Sequence, residues 1–74
     1  MSYLPLLSGT EVIAALNKNG YEMDHQIGSH IILRKKIPPF RRITVPKHKE
    51  IAKGTLRTII REAGLSVDEF KNLL

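Results

Sequence analysis

The sequence predicts a two-layer α+β domain, a three-stranded antiparallel meander with helices on one face, in the order α-β-β-β-α-α. Three observations predict it. A helix-start signature opens an apolar stripe near the N-terminus. Three short segments with β character follow, separated by turn residues. Two further helical patterns close the chain.

The first helix is placed at residues 9–19. Ser8-Gly9-Thr10-Glu11 is a capping box, in which Ser8 accepts from the third helical amide and Glu11 reaches back to the Ser8 amide. Leu7 and Val12 flank the cap as a hydrophobic staple, Val12, Ile13 and Leu16 form the stripe, and Gly20 ends it.

In the next segment Tyr21, Met23 and His25 alternate with Glu22, Asp24 and Gln26, which predicts a half-buried strand with His25 on its packed face. Gly28-Ser29 is a turn. His30 to Lys35 is a second strand rich in β-branched residues, and Pro38-Pro39 forbids its continuation. Arg42-Ile43-Thr44-Val45 alternates again and is stopped by Pro46. Short connections make the three strands an antiparallel meander. If Ile31 and Leu33 face the helices, Ile32 lies beside His30 on the open face, as an apolar anchor for a partner. Lys47 to Lys53 is a basic connection. Leu56, Ile59, Ile60 and Ala63 repeat at helical spacing up to Gly64. Ser66-Val67-Asp68-Glu69 is a second capping box, stapled by Leu65 and Phe70, and starts a short third helix.

Seventy-four residues suffice for one domain, 1–74. A chain without cysteine has neither disulfides nor cysteine-bound zinc, so packing alone must hold it. The apolar start Tyr3-Leu4-Pro5-Leu6-Leu7 is too short for a signal peptide, contains proline and has no basic flank. With no run long enough to span a membrane, the expected location is the cytoplasm. Twelve Lys and Arg oppose seven Asp and Glu. Ten of those twelve lie between Arg34 and Arg61, where Glu50 is the only acid. That clustering predicts a basic face and a polyanionic partner.

Three histidines are candidates for proton chemistry, since imidazole titrates near neutrality. His30 follows the Gly28-Ser29 turn, where a sugar–phosphate backbone can approach closely. The competing reading is a histidine that only caps a strand edge. His25 reads as a packed residue. His48, between Lys47 and Lys49, reads as a phosphate or loop contact. The histidines are far apart and no carboxylate cluster accompanies them, which argues against a metal site. Ser29 and His30 are strand neighbours pointing to opposite faces, which argues against a Ser-His-Asp hydrolase. Lys47, Lys49 and Lys53 precede the second helix, Gly54-Thr55 opens it and Arg57 lies one turn on, a pattern suited to phosphate. Arg34, Lys35, Lys36, Arg41 and Arg42 either extend that path or keep the meander soluble. No helix-turn-helix pattern precedes a basic recognition helix, which disfavours a DNA-binding protein.

The element order resembles the double-stranded-RNA-binding domain. Along nearly its whole length the chain resembles the HicA family of prokaryotic toxins. The matching pieces are Ser8-Gly9-Thr10-Glu11-Val12-Ile13, Asn19-Gly20-Tyr21, Gly28-Ser29-His30, Ile43-Thr44-Val45-Pro46 with His48, Lys53-Gly54-Thr55-Leu56-Arg57, and Ala63-Gly64-Leu65-Ser66. The loop Lys36-Ile37-Pro38-Pro39-Phe40 departs from the shorter, more polar turn of relatives. The resemblance implies the toxin of a type II toxin–antitoxin system, an endoribonuclease that cuts mRNA without metal or cofactor. His30 stands at the family's hallmark histidine. Gly28, Ser29, Lys47, Lys49, Lys53, Thr55 and Arg57 would bind RNA, and a cognate HicB antitoxin would cover the site. The alternative is a double-stranded-RNA-binding module of the same fold with no activity.

Overall fold

Ser8 caps the first helix, α1 (Gly9–Lys18), in the computed structural model, which describes residues 4–74; Tyr3 of the apolar start lies outside them. The Ser8 hydroxyl accepts from the Glu11 amide at 3.1 Å, and the Glu11 carboxylate accepts from the Ser8 amide at 2.9 Å. Three strands follow, β1 (Tyr21–Ile27), β2 (His30–Lys35) and β3 (Arg42–Pro46), then α2 (Lys53–Glu62) and α3 (Val67–Lys71). The sheet is an antiparallel meander in the order β1-β2-β3. The predicted architecture stands. Pro46 is taken into β3 as its last residue, and α2 begins at Lys53, one turn before its apolar repeat.

The core lies between the sheet and the helices. Ile31, Leu33, Ile43 and Val45 supply the sheet side. Val12 and Leu16 of α1, Leu56, Ile59 and Ile60 of α2 and Phe70 of α3 supply the helix side. Only apolar side chains and Tyr21 are buried among the described residues, so this core rests on burial and fit. Ser66 and Glu69 cap α3 reciprocally, as Ser8 and Glu11 cap α1.

β1 departs from the predicted alternation. Tyr21 is buried, but every later residue of the strand is exposed. Met23 pairs with Leu33, yet His25, not Asp24, pairs with Ile32, so the ladder carries a bulge at Asp24. One extra residue inverts the facing of all that follow. His25 is thereby moved off the helix side and onto the open face.

The chain runs back and forth between two ends. At one end lie the start of β2, the end of β3 and the starts of both long helices. At the other lie the ends of α1 and α2 and the proline loop. Here the Lys35 ammonium donates to the Asn19 carbonyl at 2.7 Å and sits over the Tyr21 ring. The Arg41 guanidinium donates to the Glu62 carbonyl at 3.1 Å, and Arg34 stacks on Phe40.

Candidate active site

His30 is the first residue of β2. It pairs with Ile27 across the turn and with Pro46 of β3, and it is exposed. Its imidazole makes no hydrogen bond or ion pair among the described residues. The turn before it depends on Gly28, whose φ is +57°. A Cβ at Gly28 would meet nothing within 4 Å, so the demand there is on backbone conformation, not space.

The turn is fastened to the basic connection. The Lys47 amide donates to the Ser29 carbonyl at 2.6 Å. The connection is tied in turn to the start of α1, because the Gly9 amide donates to the His48 carbonyl at 2.9 Å and the Ile51 amide to the Leu7 carbonyl at 2.8 Å. Gly9 permits this close approach, since a Cβ there would overlap the Pro46 carbonyl oxygen. Gly28, Ser29, His30 and Lys47 thus form one hydrogen-bonded unit, and His48 and Lys49 ride on it. The main-chain role of His48 agrees with a loop contact.

Lys53, Thr55 and Arg57 stand on the first two turns of α2, in the helix layer beyond the connection. Helix α2 starts differently from α1 and α3. Its N-cap, Ala52, offers no side-chain acceptor, and its first turn contains no acid. A lysine stands where the helix dipole disfavours positive charge. Lys47, Lys49 and Arg57 have no ion-pair partner among the described residues. A helix start with no side-chain cap, a lysine as its first residue and a basic connection before it favours an anion.

The open sheet face carries groups that the sequence pattern did not place there. Paired residues share a face, so its rows are Glu22–Arg34–Arg42, His25–Ile32–Thr44 and Ile27–His30–Pro46. Ile32 does lie beside His30, but it is half-buried; Ile27, opposite His30, is the more exposed apolar side chain at 63%. His25 is exposed, which corrects the packed role predicted for it. Its Nδ1 lies 2.9 Å from the Asp24 carboxylate. The Asp24 carboxyl is held below its ordinary range, first by this hydrogen bond and further by the positive charges of His25, Arg42 and Arg34. A hollow of about 300 Å³ beside Asp24 is lined by Glu22, Arg34 and Phe40 among others. The only sequence signal for this pair was the adjacency of Asp24 and His25. No group of three or more His, Cys, Asp or Glu among the described residues could hold a metal ion.

Fold and site together define a small α+β protein with a histidine at a basic end. The family model described as the HicA toxin of bacterial toxin–antitoxin systems matches residues 9–65, and the chain belongs to that family. The match runs from the Gly9 start of α1 through Leu65, and so includes His30 and the whole basic connection. No curated protein matches the chain. No helix among the described residues is long and apolar enough to cross a membrane.

Proposed function

We propose that this protein, acting as one toxin domain over residues 1–74, is an endoribonuclease that cuts messenger RNA with His30 and without metal or cofactor. The observation that carries the reading is the hydrogen bond from the Lys47 amide to the Ser29 carbonyl. It fixes an exposed imidazole beside a basic segment in which Lys47 and Lys49 have no ion-pair partner among the described residues. The chemistry requires that pairing of groups. The RNA 2′-hydroxyl attacks the adjacent phosphorus, a base takes its proton, and cations offset charge on the phosphoryl oxygens. His30 makes the proton transfer. Lys47, Lys49 and Lys53, the α2 start at Thr55, and Arg57 hold phosphates. Gly28 and Ser29 let the RNA backbone close on the imidazole.

The partner that family membership suggests is a cognate HicB antitoxin. Covering His30 and the start of α2 together is the direct way to silence so small a protein. An acidic or apolar partner surface suits the exposed lysines and Ile27. Hydrogen exchange should then show protection of residues 30–35 and 47–57 on binding. Protection confined to the outer face of α1 or to α3 would contradict occlusion.

The test of the function is incubation of the purified protein with RNA in EDTA, beside a folded His30→Ala control. Cleavage by the wild type and none by the variant supports the reading. RNA binding without cleavage by the wild type leaves the non-catalytic module. Cleavage that stops in EDTA and returns with magnesium contradicts the metal-free route.

A further inference from the structure

We propose that His25, oriented by Asp24 and delivered to the open face by the β1 bulge, is the second proton-transfer group of this site and protonates the leaving 5′-oxygen. The inference rests on the ribonuclease reading above and deepens it, since His30 alone leaves one of two proton transfers without an owner.

The geometry carries the argument. His25 is opposite Ile32, and His30 lies two residues before Ile32 on the same strand. The ladder between them is regular, with Gln26 paired to Ile31 and Ile27 to His30. His25 and His30 are therefore diagonal cross-strand neighbours on one face, with backbones about 7–8 Å apart. In phosphoryl transfer the entering and leaving oxygens stand on opposite sides of phosphorus. Two imidazoles at diagonal positions can each meet one of those oxygens, at a hydrogen-bond reach of about 2.6–3.2 Å. Without the bulge, His25 would share the facing of Tyr21 and Met23, on the other side of the sheet from His30.

The surroundings divide the roles. A carboxylate accepting from Nδ1 fixes the imidazole tautomer and orientation and stabilises the imidazolium. The Asp24 carboxylate lies 2.9 Å from His25 Nδ1 and orients the ring through it, which leaves Nε2 for proton transfer. His30 has no such partner among the described residues. His30 is thus the base and His25 the acid. The O2′–P bond forms as the 2′-hydroxyl proton passes to His30. The P–O5′ bond breaks as the His25 imidazolium gives its proton to the 5′-oxygen. The products are a 2′,3′-cyclic phosphate and a 5′-hydroxyl, and the two histidines end with their protonation exchanged. The charged groups near His25 are Asp24, Glu22, Arg34, Arg42 and His30, all on the sheet. Glu22 is engaged by Lys36 at 2.8 Å, which leaves Arg34 and Arg42 as cations near the phosphate.

The experiment uses two RNAs of the same sequence, one natural and one with sulfur replacing the 5′-oxygen at the mapped cleavage position. A thiolate leaves without a proton. On natural RNA His25→Ala is expected to cut about 10²–10⁴-fold more slowly than wild type, the range of one acid–base group. On the sulfur RNA it should cut within about threefold of wild type, because no acid is then needed. His30→Ala should be slow on both. Asp24→Asn should follow His25→Ala with a smaller loss, as a positioning residue. His25→Gln, which keeps a polar side chain, guards against misfolding as the cause. A His25→Ala protein that cuts natural RNA at the wild-type rate overturns the proposal. So does one that is equally slow on both RNAs. If wild type and His30→Ala behave as the ribonuclease reading requires in either case, only the role of His25 fails. Wild-type protein that cuts neither RNA overturns the function itself, and this role with it.

Discussion

The two ends of the molecule use positive charge in opposite ways. At the proline-loop end, Lys35 and Arg41 donate to the Asn19 and Glu62 carbonyls, at the C-terminal ends of α1 and α2. Cations are favoured there because the carbonyls are unsatisfied and the helix dipole is negative. At the histidine end, Lys47 and Lys49 lie on the connection that leads into α2, and Lys53 is the first residue of that helix, where the same dipole opposes it. The first arrangement is satisfied within the protein. In the second, Lys47 and Lys49 have no ion-pair partner among the described residues, and the anion proposed above would answer their charge. Two residue types that look interchangeable in composition thus divide, by which helix end they reach, into a fold-holding set and the set proposed above to be ligand-seeking.

The largest expected effect breaks the comparison at the histidine end. His30→Ala should reduce RNA cleavage by about 10²–10⁴-fold. Because His30 is exposed, its unfolding midpoint in urea should match wild type. A matching loss of stability would mean that the residue belongs to the fold and not to the chemistry.

The next effect concerns affinity. Lys47→Gln with Lys49→Gln should weaken RNA binding for all sequences alike. Each lost phosphate contact should lower the slope of log K against log salt by about 0.7–0.9. Stability should hold, since neither lysine has an ion-pair partner among the described residues. An unchanged salt slope would remove these lysines from the RNA path.

The opposite experiment lies at the far end. Arg41→Ala should cost about 1 kcal/mol of stability, from one hydrogen bond and a favourable helix-end charge. Cleavage and the salt slope should be unchanged. A variant equally stable but weaker in RNA binding would place Arg41 with the ligand-seeking set.

This division was only partly legible in the sequence. Elements written in local chemistry were readable. Ser8 with Glu11 and Ser66 with Glu69 are short-range caps, and Leu56, Ile59 and Ile60 form one stripe. The place of His30 at the start of β2 was legible because the Gly28-Ser29 turn and the strand start are local too. What was hidden depends on pairing across the sheet. The bulge at Asp24 shows only as a skipped partner between Met23 and His25, so the alternation through Tyr21, Met23 and His25 pointed His25 to the wrong face. The work of Lys35 and Arg41 was hidden for the same reason, since their acceptors lie 16 and 21 residues away.

The smallest effect tests how tightly the far end is closed. Tyr21 is buried there, with its hydroxyl 3.5 Å from the Ala63 carbonyl, Lys35 over its ring and Arg41 nearby. A bond that long sits at the weak end of the range, so Tyr21→Phe should cost about 0.5 kcal/mol at neutral pH. The stronger signature is in alkali. Burial raises the Tyr21 pKa above its ordinary 10.0, and the Arg41 charge only partly opposes this. The unfolded chain therefore releases the phenolic proton at a lower pH than the folded one. The stability that the neutral phenol contributes is fully present below pH about 10 and is lost as pH rises through the folded-state value. Urea unfolding of wild type and Tyr21→Phe at pH 8 and above pH 10 reads this directly. Lysine deprotonation affects both proteins alike, so it cancels in their difference. Wild type should lose ground to the phenylalanine variant only on the alkaline side. Parallel curves across that range would mean that the phenol reaches water in the folded protein, and that the proline-loop end opens more readily than its hydrogen bonds imply.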